Sequence, residues 1–75
     1  MSDPDVRGRI LREATRLFAE RGYGGASVRE IVESAGVTKP VLYYHYGNKE
    51  GLFLEAVRLH MARLGPAAQI GRAHV

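Results

Sequence analysis

The chain has 75 residues, of which 45% are hydrophobic and 25% are charged, with a net charge of +3. A chain of this size forms one small domain of marginal stability, because it buries only roughly 60% of its unfolded surface. The sequence has no cysteine, which excludes a disulfide framework and a thiolate metal site and suits a reducing cytoplasm. No apolar run approaches the roughly 18 residues of a membrane span, and the basic charge favours an acidic partner such as nucleic acid.

The first predicted helix covers residues 4–21, with Asp3 as its N-cap and Pro4 in its first turn. Apolar residues at helical spacing predict its buried stripe: Ile10, Leu11, Ala14, Leu17 and Phe18. Gly22 is the expected stop, in the left-handed conformation. The glycine-rich connection at 23–26 lacks the Lys-Ser/Thr of a nucleotide-binding loop, so a flexible turn is the favoured interpretation.

The second and third helices carry clear end signals. Ser27 with Glu30 three residues later predicts a capping box. The buried stripe of this helix consists of Val28, Ile31, Val32 and Ala35, and Gly36 ends it. Thr38 is the expected cap of the third helix, where Pro40 costs little in the first turn and Leu42 and Tyr46 face inward.

The fourth helix begins after Asn48 and is expected to end at about Leu64, because Gly65 and Pro66 follow. Its broad apolar face contains Leu52, Phe53, Ala56, Val57, Met61 and Leu64. Three short helices cannot cover so much apolar surface, which indicates a partner or a further domain. We therefore expect an all-α domain over 4–64: a three-helix, homeodomain-like helix-turn-helix bundle plus the start of a fourth, connecting helix.

The segment 27–46 has the layout of a helix-turn-helix motif, in which the second helix offers its start to DNA. Residues 34–49 include no acid, as a surface that meets phosphates requires, although chance can produce so short a window. An exposed tyrosine or histidine there can donate to phosphate oxygens, Lys39 can reach guanine acceptors, and Pro40 or Val41 can contact a thymine methyl. Tyr43 and Tyr44 are equally compatible with ordinary surface or core aromatics.

Several short segments together resemble the DNA-binding domain of TetR-type bacterial transcriptional regulators. The most specific is GVTKPVLYYHY at 36–46, followed by GNKEGL at 47–52. The resemblance covers residues 9–64 and implies DNA contacts in the third helix and at the starts of the second and fourth. The implied DNA-binding residues are Val28, Arg29, Thr38, Lys39, Pro40, Val41, Tyr43, Tyr44, His45 and Lys49. Tyr46 departs from the phenylalanine that is usual in the family, and its hydroxyl would need a partner or solvent.

The end of the chain differs from the rest. Residues 65–75 are expected to form an unstructured tail, and IGRAHV at 70–75 looks like the translation of a sequencing adapter. A native linker into a following domain is the alternative interpretation.

The predicted function is sequence-specific binding of double-stranded DNA by a cytoplasmic TetR-type regulator, most often a repressor in this family. The resemblance implies that the full-length protein is a homodimer on a palindromic operator, with a small-molecule effector bound in a C-terminal domain. The alternative is a helical protein-interaction module that uses the apolar face of the fourth helix. An enzyme, a metal site and a cofactor are not expected, because no residue spacing predicts one.

Overall fold

A computed structural model of the chain describes residues 5–73, and it describes side chains from Asp5 to Arg63. The described part contains four helices in chain order: α1 (Val6–Gly25), α2 (Val28–Ala35), α3 (Lys39–Tyr46) and α4 (Lys49–Ala73). The expected all-α, helix-turn-helix architecture is confirmed. Among these residues, no helix combines the length and apolar character that a membrane span would need.

α1 begins at Val6, and the Asp5 side chain beside it pairs with Arg12 at 3.1 Å. The expected cap Asp3 and first-turn Pro4 lie outside the described residues. Gly22 interrupts α1 with φ 77° and ψ 171°, after which one further helical turn reaches Gly25. The predicted stop at Gly22 is therefore a kink within α1, with the positive φ that glycine tolerates and a ψ outside the left-handed helical range.

In the described part of the chain, the predicted N-cap residues make capping hydrogen bonds at α2 and α4 but not at α3. Ser27 Oγ accepts from the Glu30 amide at 3.0 Å, the Ser27 amide donates to Glu30 Oε1 at 3.2 Å, and Asn48 Oδ1 accepts from the Gly51 amide at 2.6 Å. Thr38 is the N-cap residue of α3, as predicted, but among the described residues its hydroxyl makes no capping hydrogen bond. Pro40, the second residue of α3, removes one of the two amides that a capping hydroxyl can bind, and leaves that of Val41.

α4 continues to Ala73, so the predicted stop at Gly65 and Pro66 and the unstructured tail are wrong for residues 65–73. Good helix formers, Ala67, Ala68 and Gln69, follow the two unfavourable residues and favour continuation of the helix. His74 and Val75 lie outside the described residues. The interpretation of 70–75 as adapter sequence stays a prediction.

The core lies where α1 packs against both α2 and α4. It consists of buried side chains from all four helices and from Ala26: Ile10, Ala14, Leu17, Phe18, Ala26, Ile31, Val32, Ala35, Leu42, Tyr46, Leu52 and Ala56. Each fully buried aliphatic side chain contributes about 1.5–3 kcal/mol relative to exposure. The inward stripes of α1 and α2 agree with their apolar spacing, whereas Val57 and Met61 of α4 are 39% and 54% exposed.

Candidate nucleic-acid interface

The turn between α2 and α3 is fixed by backbone hydrogen bonds. Gly36 adopts φ 72° and ψ 33°, the left-handed conformation that favours glycine. Its amide donates to the Glu33 carbonyl at 3.3 Å, and the next amide, that of Val37, donates to the Val32 carbonyl at 3.0 Å. Val37 packs against the core as the chain turns. This turn sets the direction in which α3 leaves α2.

α3 has a buried and an exposed face. Leu42 is fully buried and Tyr46 is 9% exposed, so these two side chains hold α3 on the core. On the other side, Tyr44 is 85% exposed and Tyr43 is 43% exposed. Three further predicted site residues are also exposed: Thr38, Lys39 and Pro40. The structure thus brings five predicted DNA-binding residues together at the start and the outer face of α3.

Four of the predicted residues are only partly accessible, namely Val28, Val41, His45 and Lys49. For Val28 this agrees with its predicted place in the buried stripe of α2. Val28 and Val41 are half-buried and pack against the core. His45 is also half-buried, with its ring 5.1 Å from that of Tyr44, and it lines a cleft shared with Arg7 and α4. Any contact of these side chains with a ligand would use only the part that packing leaves open.

Arg29 lies at the start of α2 with its side chain 79% exposed. Its Nε pairs with Glu33 Oε2 at 3.2 Å, one helical turn further along α2. An exposed pair of this kind contributes at most about 1 kcal/mol, so the guanidinium can exchange Glu33 for a phosphate at little cost.

Lys49, the first residue of α4, lies over an aromatic ring from α1. Its Nζ is 4.4 Å from the centroid of the Tyr23 ring. The Tyr23 ring in turn packs edge-on against Phe53 at 5.0 Å and stacks on Phe18 at 5.9 Å. Tyr23 therefore connects a predicted phosphate-binding lysine to the core, a role that its place in a glycine-rich turn did not indicate.

Two arginines of α1 reach the main chain of the motif. Arg7 Nη1 donates to the His45 carbonyl of α3 at 3.0 Å, and Arg9 Nε donates to the Ala35 carbonyl of α2 at 2.7 Å. These contacts span 38 and 26 residues of sequence. No local sequence pattern predicts contacts over such separations.

A short helix fixed on a helical core by one face, with exposed aromatic and basic side chains on the other, defines a helix-turn-helix domain. The family model described as "Bacterial regulatory proteins, tetR family" matches residues 10–56. The chain belongs to this family, as its resemblance indicated.

Named relatives and a solved structure agree with this assignment. The chain is 45% identical over 58 residues to the HTH-type transcriptional repressor AcnR of Corynebacterium glutamicum, which covers 77% of this chain and 31% of AcnR. It is 48% identical over 58 residues to the HTH-type transcriptional regulator LmrA of Bacillus subtilis, covering 76% and 31%. It is 43% identical over 58 residues to the HTH-type transcriptional activator FasR of Mycolicibacterium smegmatis, covering 77% and 26%. The chain thus spans about a third of the length of these relatives.

A solved structure described as the molecular basis for control of antibiotic production by bacterial hormones matches with a TM-score of 0.77. It is 38% identical in sequence, and the match covers 97% of this chain and 39% of that one.

Proposed function

We propose that this chain binds double-stranded DNA sequence-specifically, with the outer face of α3 in the major groove. The proposal depends on the observation that α3 has one buried and one exposed face. Leu42 and Tyr46 pack in the core and fix the helix, while Tyr43 and Tyr44 project into solvent. Residues 34–49, which include all of α3, contain no carboxylate of their own. An aromatic surface beside lysines suits phosphate and sugar contacts, with base edges read from the groove.

The proposed contacts divide into two classes. Lys49 and Arg29, at the starts of α4 and α2, would bind phosphates, where the helix dipoles also favour negative charge. Lys39, Pro40 and the two tyrosines would approach base edges and sugars. The remaining members of the proposed site contribute through their accessible parts: Val28, Thr38, Val41 and His45.

The test is binding of duplex DNA selected from a random library with the wild-type chain, followed by fluorescence anisotropy. A single reading helix should give a dissociation constant in the range of about 10⁻⁴–10⁻⁶ M that weakens steeply between roughly 50 and 200 mM salt. Lys49→Ala should reduce the slope of log K against log salt by about 0.9, the value for one lost phosphate contact. Arg12→Met is the matched control, because Arg12 pairs with Asp5, just before α1, and lines a cleft with side chains of α1 and α4.

A protein-interaction function is the second candidate, and one surface favours it. Leu54, Val57 and Met61 of α4 are 55%, 39% and 54% exposed. Residues at this spacing share one side of a helix. Binding to a protein partner that is insensitive to salt and is lost in Leu54→Asp, together with no affinity for duplex DNA, would support this candidate over the first.

For the whole protein we propose a cytoplasmic homodimer that reads a palindromic operator, with half-sites roughly 34–36 Å apart. A small-molecule effector would bind in a C-terminal domain that follows the helix-turn-helix domain. We propose repression as its mode of action, on the name of AcnR, while the name of FasR shows that activation also occurs among the relatives. Transcription of a reporter placed behind the selected duplex would distinguish the two modes.

A further inference from the structure

Arg7 and Arg9 meet the two helices of the motif at equivalent places. Ala35 is the last residue of α2, and His45 is the last but one of α3. The final carbonyls of a helix lack partners within the helix and form the negative end of its dipole. A guanidinium at each of these positions therefore supplies both a hydrogen-bond donor and a favourable charge.

Tyr46 closes the contact from the other side. Its hydroxyl donates to the main-chain carbonyl of Arg7 at 2.8 Å, and the guanidinium carbon of Arg7 lies 4.7 Å from the centroid of its ring. Arg7 is thus held by the hydrogen bond to its carbonyl, by the hydrogen bond from its guanidinium and by the contact of that guanidinium with the Tyr46 ring. We call the three interactions among Arg7, the His45 carbonyl and Tyr46 the Arg7 clasp.

The clasp acts at the end of a helix that has few other restraints. α3 has eight residues, and only Leu42 and Tyr46 among them are fully packed in the core. The angle of so short a helix depends on how both of its ends are held. The turn at Gly36 restrains its first end, and the clasp restrains its last.

We infer that Arg7 is a positioning residue, which fixes the end of α3 against α1 and so sets the angle at which Tyr43 and Tyr44 meet DNA. It does this instead of binding phosphate, although a basic residue in a DNA-binding domain would ordinarily be assigned to phosphate. The consequence for DNA rests on the proposed function. The clasp itself is a property of the free chain.

The free chain gives the first test, by hydrogen exchange of the Gly47 amide, which donates to the Tyr43 carbonyl at 2.8 Å in the last turn of α3. Arg7→Met and Tyr46→Phe should each accelerate this exchange by about 3- to 10-fold, as expected for loss of one hydrogen bond. Arg12→Met, which removes the same charge from the same helix, should leave it within about twofold. Equal exchange in Arg7→Met and Arg12→Met would overturn the inference.

DNA binding gives the second test, on a selected duplex and a scrambled one at several salt concentrations. Tyr46→Phe should lower the ratio of selected to scrambled affinity by about 3-fold or more. Because this substitution changes no charge, the slope of affinity against salt should stay at the wild-type value. A change in folded fraction alone would weaken both duplexes equally and leave the ratio unchanged, which would count against positioning. Arg7→Met should lower the same affinity ratio. The dependence of its affinity on salt should have the same slope as that of Arg12→Met, which loses the same charge.

A slope lower by about 0.9 in Arg7→Met than in Arg12→Met would identify Arg7 as a phosphate ligand and overturn the inference. If the wild-type chain binds no duplex at low salt, the proposed function fails. The exchange experiment then decides the inference by itself.

Discussion

The Nζ atom of Lys49 lies 4.4 Å from the centroid of the Tyr23 ring, and this contact joins the first residue of α4 to the turn that ends α1. A cation over an aromatic face gains about 0.5–1 kcal/mol at an exposed site. The Tyr23 ring is itself held by Phe18 and Phe53. The ammonium group is therefore directed by the core, which reduces the side-chain entropy that phosphate binding would cost.

This relationship predicts unequal effects of two substitutions at Tyr23. Tyr23→Phe keeps the ring, so DNA affinity should stay within about twofold of the wild type. Tyr23→Leu removes the π face and should weaken binding by about 3- to 5-fold, since the cation–π contact contributes up to about 1 kcal/mol. Anisotropy at low salt would measure both, with circular dichroism to show that each variant is folded. Equal affinity of the two variants would contradict a directing role for the ring.

Tyr44 should separate DNA binding from stability. Its side chain is 85% exposed, so Tyr44→Ala should change the free energy of unfolding by no more than about 0.5 kcal/mol. A buried interface aromatic commonly contributes more than about 1 kcal/mol to binding, so duplex affinity should fall by about fivefold or more. Urea unfolding and anisotropy on the same preparation would measure the two effects. Unchanged affinity would remove Tyr44 from the proposed interface.

The sequence predicted those parts of the fold that depend on local spacing. Ile10, Ala14, Leu17 and Phe18 repeat at the helical period, and Ser27 with Glu30 forms a cap within one turn, so both were predictable. The segment that contains the candidate site was predictable. Which of its side chains pack against the core and which stay exposed was not fully predictable. Val28 was predictable as part of the buried stripe of α2, whereas Val41 packs partly against the core because of the way the helices cross. Arg7 contacts His45, which lies 38 residues further along the chain, and the spacing of residues within one helix cannot predict such a contact.

The phenol of Tyr46 should make stability depend on alkaline pH. Burial raises the pKa of Tyr46, the positive charge of Arg7 opposes this rise, and Glu55 adds to it. Since the folded-state pKa lies above the unfolded value of about 10, the contribution to stability is complete below about pH 10 and is lost as pH rises through the folded-state pKa. Deprotonation also removes the hydrogen that Tyr46 donates to the Arg7 carbonyl.

The measurement is urea unfolding of the wild type and Tyr46→Phe at about pH 8 and pH 11, on either side of an ordinary tyrosine pKa. The wild type should be the more stable chain at the lower pH and should lose this advantage at the higher one. Tyr44→Phe, which removes an exposed hydroxyl, is the control and should follow the wild type at both. A constant difference between the wild type and Tyr46→Phe at the two pH values would show that the hydroxyl does not titrate with folding.

Gly51 and Gly8 both lie inside helices, yet alanine should have opposite effects at the two positions. A Cβ at Gly51 would press on the main-chain carbonyl oxygen of Tyr46, at the end of α3. A Cβ at Gly8 would meet the carboxylate of Asp5, the end of a side chain that can move aside. Gly8→Ala should therefore stabilise the chain by about 0.5–1 kcal/mol through helix propensity. Gly51→Ala should destabilise it by about 1–3 kcal/mol, because α3 and α4 must separate.

Thermal unfolding would measure this pair, since about 1 kcal/mol shifts the midpoint of a domain of this size by roughly 4–8 °C. The two variants carry the same chemical change, so opposite shifts isolate the close approach between α4 and the end of α3. That approach also bears on DNA binding, because it lies beside the Arg7 clasp: Gly51→Ala should displace the last turn of α3 and lower the ratio of selected to scrambled affinity. If Gly51→Ala raised the thermal unfolding midpoint as Gly8→Ala does, the end of α3 would be shown to move aside without loss of stability.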